Sequence, residues 1–184
     1  MQQTLYLIRH TRPRIDAGIC YGQLDVGLAD SFATEAAWVA SCLPALQLIV
    51  SSPLQRCQTL ATHLAHAHGC PLRCDERLME MHFGDWEGRA WNDIARSEID
   101  AWSADLLHYS PPRGESALQV TQRVDALLDE LERLPLQHIA LVGHGGSMRA
   151  ALANLAGIPL GGTLSWQIDF GSVVAARRQV AARP

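Results

Sequence analysis

Short apolar runs alternate along the chain with longer segments in which hydrophobic residues recur every three to four positions. The apolar runs have the length of β-strands and lie at residues 5–9, 46–51, 139–142, 164–170 and 172–177. The periodic segments predict helices over residues 31–43, 53–68, 91–107, 116–134 and 147–155. Strands that alternate with helices are typical of a mainly parallel sheet. The pattern therefore predicts a single three-layer α/β/α domain over residues 1–184, with helices on both faces of the sheet.

Proline and glycine residues mark several of the predicted boundaries. Pro53 lies in the first turn of one helix, which Gly69 ends, and Pro135 stops the helix that covers residues 116–134. Residues 109–114 are rich in turn-forming residues. We expect them to form a loop that borders the functional site.

The composition excludes several classes of partner. The formal net charge is −4, and no basic stripe interleaved with aromatic residues is present, so a nucleic-acid partner is not expected. No apolar stretch approaches the ~20 residues that a membrane span requires, and the N-terminus has no secretory signal pattern. The expected location is the cytoplasm. The five cysteines have no C-x-x-C pair, which favours reduced structural thiols over a zinc site.

All fifteen basic residues are arginines. Without lysine, the chain cannot use a Walker-type phosphate lysine, a kinase strand lysine or a Schiff-base lysine. A phosphate site in this chain must depend on arginine, whose planar fork binds phosphate oxygens bidentately.

Two predicted strands each deliver a histidine to their carboxyl end. Arg9 and His10 end the first strand, and His144 follows the strand at residues 139–142. Arg56 lies near the start of the helix that follows the second strand. Ligands of open α/β sheets bind beyond the carboxyl ends of the strands, where helix N-termini also attract anions. We expect these residues to converge on one site for a small phosphorylated metabolite.

Glu80 is the candidate proton donor of this site. It lies in the segment Leu78-Met79-Glu80-Met81-His82-Phe83-Gly84, whose apolar and glycine content predicts a loop folded against the protein. A partly buried carboxylate can hold its proton near neutral pH and act as a general acid.

Five motifs in the right order resemble those of the histidine phosphatase superfamily, in the branch of cofactor-dependent phosphoglycerate mutases and α-ribazole phosphatases. The resemblance covers nearly the whole chain. The matching segments are Arg9-His10-Thr11, residues 51–59, residues 78–88, Gly114-Glu115-Ser116 and Gly143-His144-Gly145-Gly146. Each motif alone is weak, but together they are specific.

The resemblance implies a role for each matching residue. His10 would be the nucleophile that forms a phosphohistidine, and Glu80 would be the proton donor. Arg9, Arg56 and His144 would hold the phosphoryl oxygens, with Gly145 among the phosphate-binding residues. Neither a metal nor another cofactor is expected.

The chain also departs from the family pattern. Thr11 replaces the glycine that usually follows the nucleophile, and Asp16 stands where many members have a phosphate-contacting asparagine. Thr11 or Gln23 could supply the missing phosphate donor, although a loop role is about as probable for either.

Other residues have structural alternatives. Glu115 could bind substrate or cap the helix that starts near Ser116. Arg149 is more often a surface or ion-pair arginine than a ligand. Tyr21, Trp86 and Tyr109 could form a pocket wall that stacks on a leaving group.

The resemblance predicts a phosphatase that hydrolyses α-ribazole 5′-phosphate or a similar small phosphate. The first alternative is a mutase, although mutases of this family are longer and carry a C-terminal tail over the site, whereas only residues 177–184 follow the last apolar run here. The second alternative is a non-catalytic phosphate-binding module, which would be expected to lack His10 or Glu80. The leaving group and the oligomeric state are not determined by the sequence.

Overall fold

Five strands and five α-helices alternate along residues 2–180, the part of the chain that the computed structural model describes. The strands are β1 (Gln2–Arg9), β2 (Leu48–Ser51), β3 (Leu72–Cys74), β4 (His138–Gly143) and β5 (Val173–Gln179). The α-helices are α1 (Phe32–Ser41), α2 (Gln55–His68), α3 (Arg96–Ala104), α4 (Ala117–Glu132) and α5 (Gly145–Ala156).

The strands form one mostly parallel sheet in the order β3-β2-β4-β1-β5. Parallel pairing joins β3 to β2, β2 to β4, and β4 to β1. Only β5, at one edge, is antiparallel to its neighbour β1. The predicted three-layer α/β fold is confirmed.

Both faces of the sheet are buried. Leu5 and Leu7 of β1 point to a core formed with α4 and α5, whereas Ile8 belongs to a second core formed with α1 and α2. Successive strand residues point to opposite faces, so near-continuous apolar strands are expected where helices cover both sides. The side chains that α4 buries in the first core are Val120, Val124, Leu127, Leu128 and Leu131. A fully buried side chain of this size contributes roughly 1.5–3 kcal/mol.

The N-terminus of α4 has the hydrogen bonds of a capping box. The Ser116 side chain accepts a hydrogen bond from the Gln119 backbone N–H at 3.3 Å, and the Gln119 side chain accepts one from the Ser116 N–H at 2.8 Å. Two of the N–H groups that a helix start leaves unpaired are thereby satisfied. This places Glu115 just before the helix.

The prediction of a strand at residues 164–170 is wrong. The segment begins directly after a short 3₁₀ helix, Leu160–Thr163, and consists of turns and irregular chain. Its backbone carbonyls accept hydrogen bonds from arginine side chains, since Arg149 donates to Trp166 and Arg9 donates to Ile168. Because side chains satisfy these groups, the segment needs no partner strand.

Two further elements differ from the prediction. Extended residues Ile94 and Ala95 divide the helix expected at 91–107 into a 3₁₀ turn, Trp91–Asp93, and α3. The three residues of β3 follow Pro71 and were not predicted, because so short a strand has no visible period. Strand β5 confirms the run at 172–177.

The C-terminal segment is only partly described. Residues 181–184 lie outside the described residues, so the expectation of a short uncovered tail stays a prediction. Within residues 2–180, no helix is both long and apolar enough to cross a bilayer. A cytoplasmic location also stays a prediction.

Candidate active site

Parallel register brings the two histidines to the same edge of the sheet. Arg9 at the end of β1 lies opposite Gly143 at the end of β4, so the residues that follow them, His10 and His144, are neighbours. Their ring centroids are 5.1 Å apart in an edge-to-face arrangement. The convergence expected from the sequence is therefore present.

His10 is a buried, neutral imidazole. Its Nδ1 lies 2.7 Å from the backbone oxygen of Thr11. A carbonyl oxygen can only accept a hydrogen bond, so Nδ1 carries the proton and Nε2 keeps its lone pair. Burial is the main cause that lowers the pKa of His10 to about 3; the charges of Arg56 and Arg9 act in the same direction, whereas the hydrogen bond to Thr11 opposes it. The ring therefore presents an unprotonated nitrogen near neutral pH.

His144 is held by side chains from the start of the α2 region. Its Nε2 lies 2.8 Å from Ser52 Oγ and 3.3 Å from Cys57 Sγ, and its backbone N–H donates to Ser147 Oγ at 3.0 Å. Burial lowers the pKa of His144 well below its usual range, and the Arg56 charge acts in the same direction. This second ring is also neutral and has a fixed orientation.

Arg9 is fixed by a backbone carbonyl and an aromatic ring. Its Nη1 donates to the Ile168 oxygen at 2.6 Å, and its guanidinium carbon lies 3.9 Å from the centroid of the Phe170 ring. Its buried Nε has no hydrogen-bond partner among residues 2–180. Arg9 thus has an N–H available for a ligand.

Arg56 is fully buried in the first turn of α2. It donates to the backbone oxygens of Leu24 at 2.7 Å and Gly22 at 2.6 Å, and it lies 5.2 Å from the Tyr21 ring centroid. Its Nε, like that of Arg9, has no partner within the described chain.

Arg9, which is partly buried, and Arg56, which is fully buried, form a positive site without a paired anion. Within residues 2–180 neither guanidinium has a carboxylate oxygen within salt-bridge distance, unlike Arg123, which pairs with Glu115. Buried charges are normally paired, because desolvation of an unpaired charge is costly. The two cations beside two neutral imidazoles therefore favour an anionic ligand.

The candidate phosphate donors differ in their surroundings. Thr11 is fully buried, and its hydroxyl has no partner among the described residues, so it is available to a ligand. The Gln23 amide instead donates to the Glu80 backbone oxygen at 2.8 Å and approaches Glu115 Oε1 at 3.5 Å. Asp16 is exposed. Of these three residues, Thr11 best fits the missing donor.

Glu80 lies against the N-terminus of α5. Its carboxylate accepts hydrogen bonds from the backbone N–H groups of Met81 at 2.9 Å and Gly146 at 3.0 Å. A Cβ at Gly146 would overlap the Glu80 carboxylate, and one at Gly145 would lie 3.7 Å from both the Glu80 carboxylate and the Arg9 guanidinium carbon. The lack of a side chain at Gly146, in the first turn of α5, therefore gives the Glu80 carboxyl group its place.

Arg123 organises the Glu80 segment and was missed by the sequence reasoning. It donates to the backbone oxygens of Arg77, Met79 and Glu80 at 2.7 to 3.1 Å, and to Glu115 at 2.7 Å. Glu115 also accepts from the His82 N–H at 2.9 Å. In the sequence, Arg123 is marked only by its position next to Val124, one of the apolar residues that α4 buries. Glu115 is part of this network, and it is Ser116 that caps α4.

Of the two positions that the sequence leaves open for Trp86, core or pocket wall, the structure shows the core. Trp86 is fully buried, donates to Glu98 at 2.6 Å and packs among Trp91, Trp102 and Tyr109. Packing of large aromatic rings against one another buries much of their apolar area. Trp86 belongs to a small aromatic core, and Tyr109 stacks on it.

Within the described residues, no group of three or more His, Cys, Asp or Glu side chains is placed to hold a metal ion.

Arg149 donates to the backbone oxygens of Thr163 and Trp166. It therefore anchors the segment that follows α5.

The family model of the histidine phosphatase superfamily (branch 1) matches residues 5–180. The chain belongs to this superfamily. It is 34% identical over 170 residues to the glucosyl-3-phosphoglycerate phosphatase of Mycolicibacterium vanbaalenii, in an alignment that covers 85% of this chain and 75% of that protein. It is 30% identical over 175 residues to the adenosylcobalamin/alpha-ribazole phosphatase of Escherichia coli, with 91% and 86% covered.

A solved structure of the alpha-ribazole phosphatase from Shigella flexneri superposes on this histidine phosphatase with a TM-score of 0.86 at 28% identity. The superposition covers 94% of this chain and 89% of that one. The protein is thus a phosphatase of this superfamily, whose substrate the relatives do not determine.

The neutral state of His10 predicts a measurable pH dependence of stability. The pKa of His10 is about 3 in the folded protein, whereas its ordinary value is 6.5. Between these two pH values, the unfolded chain therefore binds a proton at His10 that the folded protein does not bind. Stability must therefore fall as the pH falls through this window. Between pH 6 and pH 4.5, the free energy of unfolding of the His10→Gln variant should fall by about 2 kcal/mol less than that of the wild type, as measured by urea unfolding.

The control is His66→Gln, which removes an exposed histidine of α2. It should keep the wild-type slope of stability against pH. An unchanged slope in His10→Gln would contradict the assignment of a neutral buried ring.

Proposed function

We propose that the protein hydrolyses phosphomonoesters through a phosphohistidine formed on His10. The observation that carries the proposal is a buried neutral imidazole with a free Nε2, placed beside the buried Arg56 and the partly buried Arg9, which lack an anionic partner within residues 2–180. Phosphoryl transfer depends mainly on positioning and on stabilisation of charge. This arrangement supplies both.

The reaction has two steps. In the first, the Nε2 lone pair attacks phosphorus, the bond from phosphorus to the ester oxygen breaks, and protonated Glu80 gives its proton to the departing oxygen. In the second, the Glu80 carboxylate takes a proton from water as the water oxygen attacks phosphorus. The phosphorus–nitrogen bond breaks, which releases orthophosphate and restores neutral His10.

Arg9, Arg56, His144, Thr11 and the N–H of Gly145 are proposed to bind the phosphoryl oxygens. The free Nε groups of the two arginines and the unpartnered Thr11 hydroxyl support this assignment. Gln23 is left out because its amide is already bonded to Glu80 and Glu115. Loss of one preorganised charge-stabilising donor typically costs on the order of 10²–10³ in rate.

The proposed substrate is α-ribazole 5′-phosphate. One similar protein carries this activity in its name, and another is named for glucosyl-3-phosphoglycerate. A glycerate carboxylate would need a further cation, but Arg12 is exposed beside Glu35 and Arg149 donates to two carbonyls. This favours a leaving group without charge. A mutase is the alternative, and retention of both His10 and Glu80 speaks against a non-catalytic module.

The nucleophile can be tested by removing His10. The His10→Ala variant should abolish turnover, because no other free imidazole nitrogen can replace it. Acid-labile, base-stable phosphate should appear on His10 of the quenched wild-type enzyme. The matched variant His66→Ala should retain full activity. Substantial activity in His10→Ala would show that the assignment is wrong.

The role of Glu80 can be tested through the leaving group. Alkyl oxygens need a proton when they depart, whereas p-nitrophenolate hardly does. Glu80→Gln should therefore slow hydrolysis of a ribose 5′-phosphate ester by ~10²–10⁴ and that of p-nitrophenyl phosphate much less. The measurement is kcat/KM for both esters.

A control for this test is Glu87→Gln. Glu87 accepts backbone hydrogen bonds from Gln23 and Phe83 in the same region, so its loss should slow both esters alike. Equal losses in Glu80→Gln would make Glu80 a structural residue too.

The substrate can be tested by steady-state comparison of α-ribazole 5′-phosphate, glucosyl-3-phosphoglycerate and 3-phosphoglycerate. We expect kcat/KM to be highest for the ribazole ester, because its leaving group is uncharged. Isotope exchange between the positions of phosphoglycerate should be minor. If either glycerate compound has a higher kcat/KM than α-ribazole 5′-phosphate, the proposed substrate is wrong.

A further inference from the structure

A pocket of about 490 Å³ lies beside the N-terminus of α5. Pockets for small ligands commonly have volumes of this order. The region between α3 and α4 forms one side, and the segment after α5 forms the other. Its apolar lining includes Met81, Trp102, Leu106, Leu107, Leu160 and Leu164.

The charged residues of the pocket already have partners in the protein. Arg149 donates to the backbone oxygens of Thr163 and Trp166, and the Asp105 carboxylate lies 2.9 Å from His108 Nδ1 and accepts from the His108 N–H. The surface that remains for a ligand is therefore mainly aliphatic and aromatic.

The pocket adjoins the carboxyl group of Glu80. Met81 and Gly146 both line it, and their N–H groups are the ones that hold the Glu80 carboxylate. If Glu80 protonates the departing oxygen, the rest of the leaving group extends from that oxygen, next to this pocket. The pocket is therefore placed where the leaving group of the proposed reaction would lie.

We propose that this pocket binds an uncharged, apolar leaving group, aromatic or alkyl, and that it sets the specificity of the enzyme. The proposal rests on the function proposed above, because that function places the phosphate beside His10. Apolar area buried on binding should then add affinity in proportion to the size of the group.

The test uses alkylphosphonates, which resemble the esters but cannot be hydrolysed. Dissociation constants for ethyl-, butyl- and hexylphosphonate are measured by calorimetry, and competition with orthophosphate shows that the phosphate site is occupied. Each methylene that becomes buried should tighten binding about fourfold, so hexylphosphonate should bind on the order of 200-fold more tightly than ethylphosphonate. A ratio near one would overturn the proposal.

A matched pair of variants locates the effect. Leu164 lines the pocket and is 49% exposed, whereas Trp38 lies on α1 and is 56% exposed, so replacement by Glu should leave the fold intact at both positions. Leu164→Glu should reduce the ratio of hexyl to ethyl affinity at least fivefold, and Trp38→Glu should leave it unchanged. Equal ratios in the two variants would contradict a site in this pocket.

The binding measurement separates this proposal from the catalytic one. If the three alkylphosphonates bind with equal dissociation constants and phosphate is found on His10, the proposal of an apolar leaving-group pocket is refuted and the phosphohistidine mechanism is supported. A steep series without phosphate on His10 would support the apolar site and refute the mechanism.

Discussion

Parallel pairing of β1 with β4 is the constraint on which the rest of the site depends. The register that aligns Arg9 with Gly143 places His10 and His144 5.1 Å apart and starts α5 at the same edge. A shift of one residue would turn the alternating side chains of β1 toward the wrong cores. The packing of Leu5 and Leu7 on one face and Ile8 on the other therefore holds the two imidazoles together.

The buried position of the site determines its protonation. Burial makes a positive charge on either imidazole costly, and the two guanidinium groups without carboxylate partners add to that cost, so both imidazoles are neutral. A neutral His10 can use its lone pair, while the arginines remain charged. The same cations that attract a phosphate thus keep the nucleophile in its reactive form.

The sequence was sufficient for four of the five strands, the main helices and the clustering of the site residues, because these depend on periodicity and on strand ends. The sequence did not predict the structure of segments whose backbone groups form hydrogen bonds with side chains instead of with a neighbouring strand. Arg149 and Arg9 satisfy the carbonyls of residues 164–170, so an apolar run that looks like a strand is irregular. Trp86 packs in an aromatic core with Trp102, 16 residues further along the chain, and Arg123 reaches the Glu80 segment across 43 residues. Such long-range contacts leave no local pattern.

Arginine side chains connect these observations. Arg9, Arg56, Arg123 and Arg149 each donate to backbone carbonyls of irregular segments that surround the site. A guanidinium has five N–H donors in a fixed plane, so one or two can anchor a loop while others remain for a ligand, which the three donors of a compact lysine ammonium do less well. In Arg9 and Arg56, the buried Nε groups have no hydrogen-bond partner within residues 2–180. The residues that give the site its positive charge therefore also fix the loops that enclose it, and this ties the geometry of the phosphate site to the shape of the pocket beside it.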